Sequence, residues 1–316
     1  MKTAAYAAGP PRVAGPVAYA PGSLVRSRWL DFLELTKPRI SVMVLFTVAI
    51  GAMLAPSAGL DGMQLLHALI GTALTAAGAS ALNQWLERRT DGAMRRTENR
   101  PLPAGRLSAT EVLTFGTFLS ALGLGYMFLL VTHPWAVGLT ALTHLSYVFV
   151  YTPLKRKTTL NTLIGAVPGA LPPVIGWTAM TGTLDAQAGI LFLIVFFWQV
   201  PHFLAIAWMY RADYAHAGLK MLPGVDPDGT TTARQMLIYT LALIGVSVTP
   251  LFITEASPMF GFGALGLGVF FLRFVWAFAL QPGDARARRV MQASLIYLPG
   301  ILGLFLLERW MRFLIG

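Results

Sequence analysis

The stretch from Asn83 to Leu102, N-Q-W-L-E-R-R-T-D-G-A-M-R-R-T-E-N-R-P-L, holds the densest set of chemically capable side chains in the sequence. Asn83, Glu87 and Asp91 are spaced i, i+4, i+8. At about 100° per residue they drift only about 80° around a helix, so they share one face. Two carboxylates and an amide on one face make an oxygen-rich site of the kind Mg²⁺ prefers, and Mg²⁺ is commonly shared with substrate phosphates. Arg95, Arg96 and Arg100 follow directly, and guanidinium forks hold phosphate oxygens in pairs. Carboxylates for a metal beside arginines for phosphate predict a metal-bridged diphosphate. Spacing alone equally allows i,i+4 ion pairs at a helix end that runs into a loop.

The elements that must position these residues are membrane spans. Of 316 residues 55% are hydrophobic and 12% charged, with a mean hydropathy of +0.62, where a soluble domain carries about 25% charge. Apolar stretches long enough to cross a bilayer fall at roughly 40–57, 65–86, 109–131, 135–153, 160–180, 187–209, 235–254, 259–279 and 290–310. The expected fold is all-α: a polytopic membrane protein of nine transmembrane helices, which the resemblance given below implies are set around a central cavity. Basic residues support the count. Of 24, 21 lie before the first span or in the loops after spans 2, 4, 6 and 8, and the loops after spans 1, 3, 5 and 7 hold none. By the positive-inside rule the N-terminus is expected inside and the C-terminus outside. Charge confined to short loops also argues against nucleic acid as the partner of the +10 net charge. The absence of cysteine excludes disulfides, thiolate metal sites and thioether-linked haem. Residues 1–28, rich in Ala, Pro and Gly, read as a disordered cytoplasmic tail, and 29–316 as one transmembrane domain. Trp29 to Arg39 reads as a short amphipathic interfacial helix.

The other unusual polar residues also fall towards the inner side. After span 4 come Tyr147, Tyr151, Lys155, Arg156 and Asn161; span 6 and its loop carry Trp198, Gln199, His202, Asp213, Tyr214 and Lys220. Outer loops hold little beyond Asp61, His133, Asp185 and Glu255. The active site is therefore expected on the cytoplasmic side. His144 and His202 are intramembrane, where an ionisable residue points to function before structure. Pro201 frees a backbone carbonyl beside His202. Span 5 is broken by Pro168, Pro172 and Pro173, as suits a helix lining a cavity. Arg273, inside span 8, calls for a carboxylate or a lipid phosphate.

From residue 29 to about 310 the motifs resemble the haem O synthases (protohaem IX farnesyltransferases), a branch of the UbiA-type intramembrane prenyltransferases. The resemblance rests on N-x-x-x-E-x-x-x-D-x-x-M-x-R-T-x-x-R-P-L from Asn83, Y-T-x-L-K-R from Tyr151, G-A-x-P-P-x-x-G-W from Gly169, W-Q-x-P-H-F from Trp198 and D-Y-x-x-A-G-x-x-M-L-P from Asp213. Glu87 stands where the wider superfamily has Asp, and the second acidic motif retains one clear carboxylate, Asp213. The resemblance implies transfer of the farnesyl group of farnesyl diphosphate to a vinyl group of haem B, with water added, giving haem O and diphosphate for haem–copper oxidase biogenesis. It implies Mg²⁺ on Glu87, Asp91 and Asp213, with Asn83 beside it; diphosphate on Arg96, Arg100, Lys155 and Arg156; and an allylic cation shielded by Tyr147, Tyr151 and Trp198. His202 and Gln199 are the implied haem contacts. Haem B enters as substrate, not cofactor. The implied setting is the bacterial cytoplasmic membrane with its lipid, and the implied partner is haem A synthase. An aromatic-acceptor prenyltransferase would share the diphosphate site. A multi-pass transporter would share the broken helices, but it has no need of carboxylates and arginines clustered at one inner face.

Overall fold

The computed structural model describes residues 27–56, 61–254 and 256–315. The expected tail falls outside them except for its last two residues, as does Glu255. Every regular element among the described residues is helical. Helix α1 (Arg28–Leu35) meets α2 (Pro38–Leu54) at a 44° bend. Then come α3 (Gly62–Asp91), α4 (Ala109–Leu130) and α5 (Pro134–Leu145). A π-helical turn (Ser146–Tyr151) and α6 (Thr152–Leu154) continue α5 as one span, and α7 (Asn161–Ala170) with α8 (Pro172–Thr181) makes the next. The remainder is α9 (Ala186–Met209), α10 (Arg211–His216), α11 (Leu222–Val225), α12 (Thr230–Val248), α13 (Pro250–Ile253), α14 (Pro258–Leu280) and α15 (Asp284–Ile315).

Eight of the spans so formed are long and apolar enough to cross a membrane, and α2, with 17 residues, makes the ninth. The nine agree with the hydropathy pattern. Helix α1 is amphipathic in an inverted sense. Asp31 and Leu35 are buried, while Trp29 is 63% and Leu33 45% exposed, so its apolar side is turned outward as an interfacial helix requires. Arg106 from the loop before α4 binds Asp31 at 2.8 Å and Glu34 at 3.0 Å and fixes α1 against the bundle. Arg273 is exposed on α14, lies 5.0 Å from the Phe274 ring and has no carboxylate partner among the described residues.

Two local features matter for the site. The helix through Tyr147 and Tyr151 slips into π geometry because Pro153 has no N–H to give the Phe149 carbonyl. The Tyr147 carbonyl instead accepts both the backbone N–H and the hydroxyl of Thr152, the latter at 2.8 Å. The break in span 5 falls at Leu171, between α7 and α8, where Pro172 and Pro173 begin α8. It lets α8 approach α2 backbone to backbone: a methyl on Gly51 would collide with the Pro173 carbonyl, and one on Gly176 with that of Val48. Gly176→Ala is therefore expected to destabilise the fold by about 1–3 kcal/mol, the usual range for overpacking, read as a lower Tm in detergent. An unchanged Tm would show that α2 and α8 can part freely.

Candidate active site

Helix α3 runs past the predicted end of its span to Asp91, so Asn83, Glu87 and Asp91 stand on one continuous face. All three are withdrawn from solvent, at 1%, 8% and 1% exposure. Buried carboxylates require partners, and the neighbouring elements supply them. Lys155, just past α6, places Nζ 2.8 Å from Glu87 Oε1. Arg100, from the loop after α3, places Nη1 2.7 Å from Asp91 Oδ2. Asn83 Nδ2 donates to Thr152 Oγ1 at 3.1 Å, which ties α3 to the end of the π-helical turn. Asp91 Oδ1 is buried with no partner. Such an atom costs about 1–3 kcal/mol unless something fills the place.

The cavity beside this face has a volume of about 100 Å³. Four cations line it, Lys37, Arg96, Arg100 and Lys155, against the two carboxylates Glu87 and Asp91. Positive groups are therefore in excess. Arg96 is held over the rings of Tyr210 and Tyr214, at 5.1 and 5.7 Å, and donates to the Tyr214 hydroxyl at 3.1 Å. Lys37 precedes the α2 span and donates to Asn83 Oδ1 at 2.8 Å. It is the one non-glycine residue with positive φ among the described residues, at 48°. Burial, then the nearby Arg100 guanidinium, pushes its ammonium down to about 7. Burial acts in the same sense on Lys155, but there the Tyr151 hydroxyl and the Glu87 carboxylate outweigh it and hold the group above its ordinary value. Lys37 thus lacks the countercharge that Lys155 has.

The π-helical turn sets Tyr147 and Tyr151 on the cavity wall with ring centres 5.5 Å apart, and Lys155 Nζ lies 4.6 Å from the Tyr151 ring. Met94, Leu219 and Met221 close the cavity with apolar surface. The structure therefore brings together Asn83, Glu87, Asp91, Arg96, Arg100, Lys155, Tyr147 and Tyr151. Lys37, Thr152 and Tyr214 join them without having been singled out for this site from the sequence. Their only sequence signals are Lys37 directly before Pro38, Thr152 inside Y-T-x-L-K-R, and Tyr214 beside the acidic position.

Other predicted residues lie elsewhere. Asp213 does not line the cavity; its neighbour Tyr214 does, and one residue of helix turns a side chain by about 100°. The expected three-carboxylate metal set is not formed: among the described residues no three of His, Cys, Asp and Glu come together as a metal site. Arg156 is exposed and outside the cavity. Trp198, Gln199 and His202 form a separate cluster on α9. Trp198 donates to the Ser294 carbonyl at 2.7 Å and stacks on His202 at 4.8 Å, so it is not on the cavity wall. Gln199 donates to the carbonyls of Ala166 and Val195. His202 Nδ1 lies 2.7 Å from Ser294 Oγ, and that hydroxyl already donates to the Met291 carbonyl at 2.6 Å. Nδ1 must therefore carry the proton, which leaves a lone pair on Nε2.

The donor set suits a hard divalent cation. Glu87 and Asp91 offer oxygen only, and Asp91 Oδ1 has no hydrogen-bond partner among the described residues, so a hard cation would satisfy it. Two carboxylates without a full protein cage are typical of Mg²⁺, which completes its octahedron with water and substrate phosphate.

The description "UbiA prenyltransferase family" fits residues 44–298 of this chain. The protoheme IX farnesyltransferase of Solibacter usitatus is 48% identical over 288 residues, covering 88% of this chain and 98% of that one. That of Salinibacter ruber is 46% identical, covering 88% and 98%. Among solved structures, a digeranylgeranylglyceryl phosphate synthase matches with a TM-score of 0.76 at 16% identity, over 89% of this chain and 98% of that one. A UbiA homolog from Archaeoglobus fulgidus bound to DMAPP and Mg²⁺ matches with a TM-score of 0.62 at 13% identity, over 87% and 99%.

Proposed function

The chain belongs to the UbiA prenyltransferase family, and from that premise we propose that it moves the farnesyl group of farnesyl diphosphate to a vinyl group of protohaem IX, with water added, giving haem O and diphosphate. The observation that carries the reading is a cavity where Arg96, Arg100, Lys155 and Lys37 outnumber two carboxylates, one of which has an unpartnered oxygen. An anion with its own metal satisfies both. The acceptor comes from the relatives, which carry the name protoheme IX farnesyltransferase at 46–48% identity over nearly their full length.

Glu87 and Asp91 would hold Mg²⁺ at this site. Bound there, it neutralises the diphosphate and stabilises charge that develops on it as it departs. Lys37, Arg96, Arg100 and Lys155 bind the diphosphate oxygens by charge-assisted hydrogen bonds. Tyr214 and Tyr210 hold Arg96 in place for this, and Thr152 holds Asn83. Tyr147 and Tyr151 present ring faces where the allylic carbon becomes cationic, an attraction of about 0.5–2 kcal/mol each. Asp213 lies off the cavity, and the metal proposal is confined to Glu87 and Asp91. The site faces the cytoplasm if the basic loops are inside.

His202 is our candidate haem contact. Its ring is clamped between Trp198 and Phe203, and its Nε2 lone pair is of the type that binds haem iron. His202→Ala is expected to weaken protohaem binding at least tenfold, read from the Soret band in a haem titration, while farnesyl diphosphate binding stays within threefold. Unchanged haem affinity would remove His202 from the account. The reaction itself is tested with an acceptor panel. Only protohaem among porphyrins and hydroxylated aromatics should gain a prenyl group. Prenylation of a hydroxylated aromatic alone would keep the diphosphate site and replace the acceptor.

A further inference from the structure

Lys155 stands in the turn after α6, and its backbone is gripped by a distant part of the chain. Its carbonyl accepts the Lys220 N–H at 2.8 Å. The Lys220 carbonyl accepts in turn from Asn161 Nδ2 at 2.8 Å, and the same amide nitrogen donates to the Thr158 carbonyl at 2.6 Å. The Thr158 N–H closes the circuit by donating to the Leu154 carbonyl at 3.1 Å. Asn161, the first residue of α7, is fully buried and does not line the catalytic cavity. A side-chain amide has two hydrogens to donate, and both go to backbone carbonyls. The segment that Asn161 grips is the one that closes the cavity. Leu219 and Met221 line it and pack in one cluster with Met94. Lys220, between them, is exposed, so it is the Lys220 backbone that joins Asn161 to Lys155. Lys155 carries its ammonium to Glu87, 2.8 Å away. A lysine stem is flexible, so an ammonium that must meet its partner in one place needs a fixed backbone beneath it.

We propose that Asn161 is a positioning residue for the diphosphate: through the Lys220 backbone it sets the place of Lys155, and with it the affinity for the prenyl diphosphate. The proposal rests on the transferase reading for the identity of that ligand. Asn161 itself touches no substrate. Without its amide the Lys220 carbonyl loses its donor, the segment from Leu219 to Met221 loses its tie to α7, and the Lys155 carbonyl is left with a loose partner. The Lys155 ammonium then spreads over several places, and only one of them serves the diphosphate.

The test is equilibrium binding of farnesyl S-thiolodiphosphate, with Mg²⁺, to the purified full-length chain in detergent, followed by titration calorimetry. The bridging sulfur slows departure of the diphosphate, so the test needs neither turnover nor haem. Asn161→Ala should raise Kd about five- to tenfold, the worth of one hydrogen bond. Lys155→Gln should raise it about 10–100-fold, the worth of one hydrogen bond to a charged group. The decisive comparison is the double variant. If Asn161 works through Lys155, Asn161→Ala adds less than about twofold to Lys155→Gln, because members of one hydrogen-bond network are not additive. A residue that only supports the fold would multiply the two losses. Asn161→Leu keeps the volume without the donor and takes the same role if the alanine variant does not fold. An unchanged Kd in a folded Asn161 variant, or losses that multiply, overturns the proposal while the parent's binding leaves the transferase reading standing. A folded parent that binds no analogue overturns that reading, and the proposal with it.

Discussion

Asp91→Asn should lower kcat by about 10²–10³-fold, the usual effect of removing one preorganised charge from a transition-state site. Asp91 does two things here. One oxygen pairs with Arg100, the other is buried without a protein partner among the described residues, and the residue lines the cavity. Asparagine keeps the shape but loses the charge that attracts a divalent cation. The Mg²⁺ concentration for half-maximal rate should therefore rise together with the fall in kcat. Glu87→Gln should act in the same direction, and because Lys155 would lose its buried countercharge, diphosphate affinity should change as well. Asp213→Asn is the informative control. Its side chain lies off the cavity, so its turnover should stay within about threefold, since surface substitutions away from such features are usually worth under about 0.5 kcal/mol. The measurement is initial rate against Mg²⁺ for the three variants. A collapse for Asp213→Asn with a near-normal Asp91→Asn would place the metal elsewhere.

The second large effect is expected at Lys37. Its ammonium is half-buried, reaches Asn83 and has no carboxylate partner among the described residues, and its backbone sits in the left-handed region at φ 48°. For a residue with a Cβ that conformation costs about 1–2 kcal/mol. The left-handed residue turns the chain from α1 into α2 and so aims its side chain at Asn83. Lys37→Gly removes the cation and the strain together. The variant should melt no lower than the parent, because glycine accepts positive φ freely. Yet its KM for farnesyl diphosphate should rise about 10–100-fold with kcat nearly kept, the pattern for a contact made equally in ground and transition states. That range corresponds to one hydrogen bond to a charged group, roughly 1.5–3 kcal/mol. Lys37→Arg should recover much of the affinity. An unchanged KM would leave Lys37 as a packing residue.

The helical ladder Asn83–Glu87–Asp91 was legible in the sequence because helix periodicity fixes which residues share a face, whatever the surrounding fold. The nine spans were legible for a similar reason: length and apolarity are local, and the basic loops confirm the count. Lys37 was not. In sequence it is one of six basic residues ahead of the first span, and nothing local separates a residue that reaches 2.8 Å from Asn83 from one that marks the inner side. Asp213 and Tyr214 show a related limit. The chemistry favoured the carboxylate, but which face a six-residue helix such as α10 presents is decided by its packing. The π-helical turn before Thr152 also escaped, because hydropathy carries no sign of an i→i+5 bond, although Pro153 gives its cause. The motif marks Trp198 and Gln199 as site residues but does not show their packing role. They hold α9 to α15 and α7 through carbonyls that no side-chain pattern reveals.

The most direct test of the account is transfer by the purified chain in detergent. Protohaem IX, farnesyl diphosphate and Mg²⁺ are supplied, and the haems are separated and weighed by mass spectrometry. The account predicts a haem heavier by one farnesyl group plus water, formed with release of diphosphate and lost when Mg²⁺ is chelated. Unchanged haem from folded protein that binds farnesyl diphosphate would contradict it.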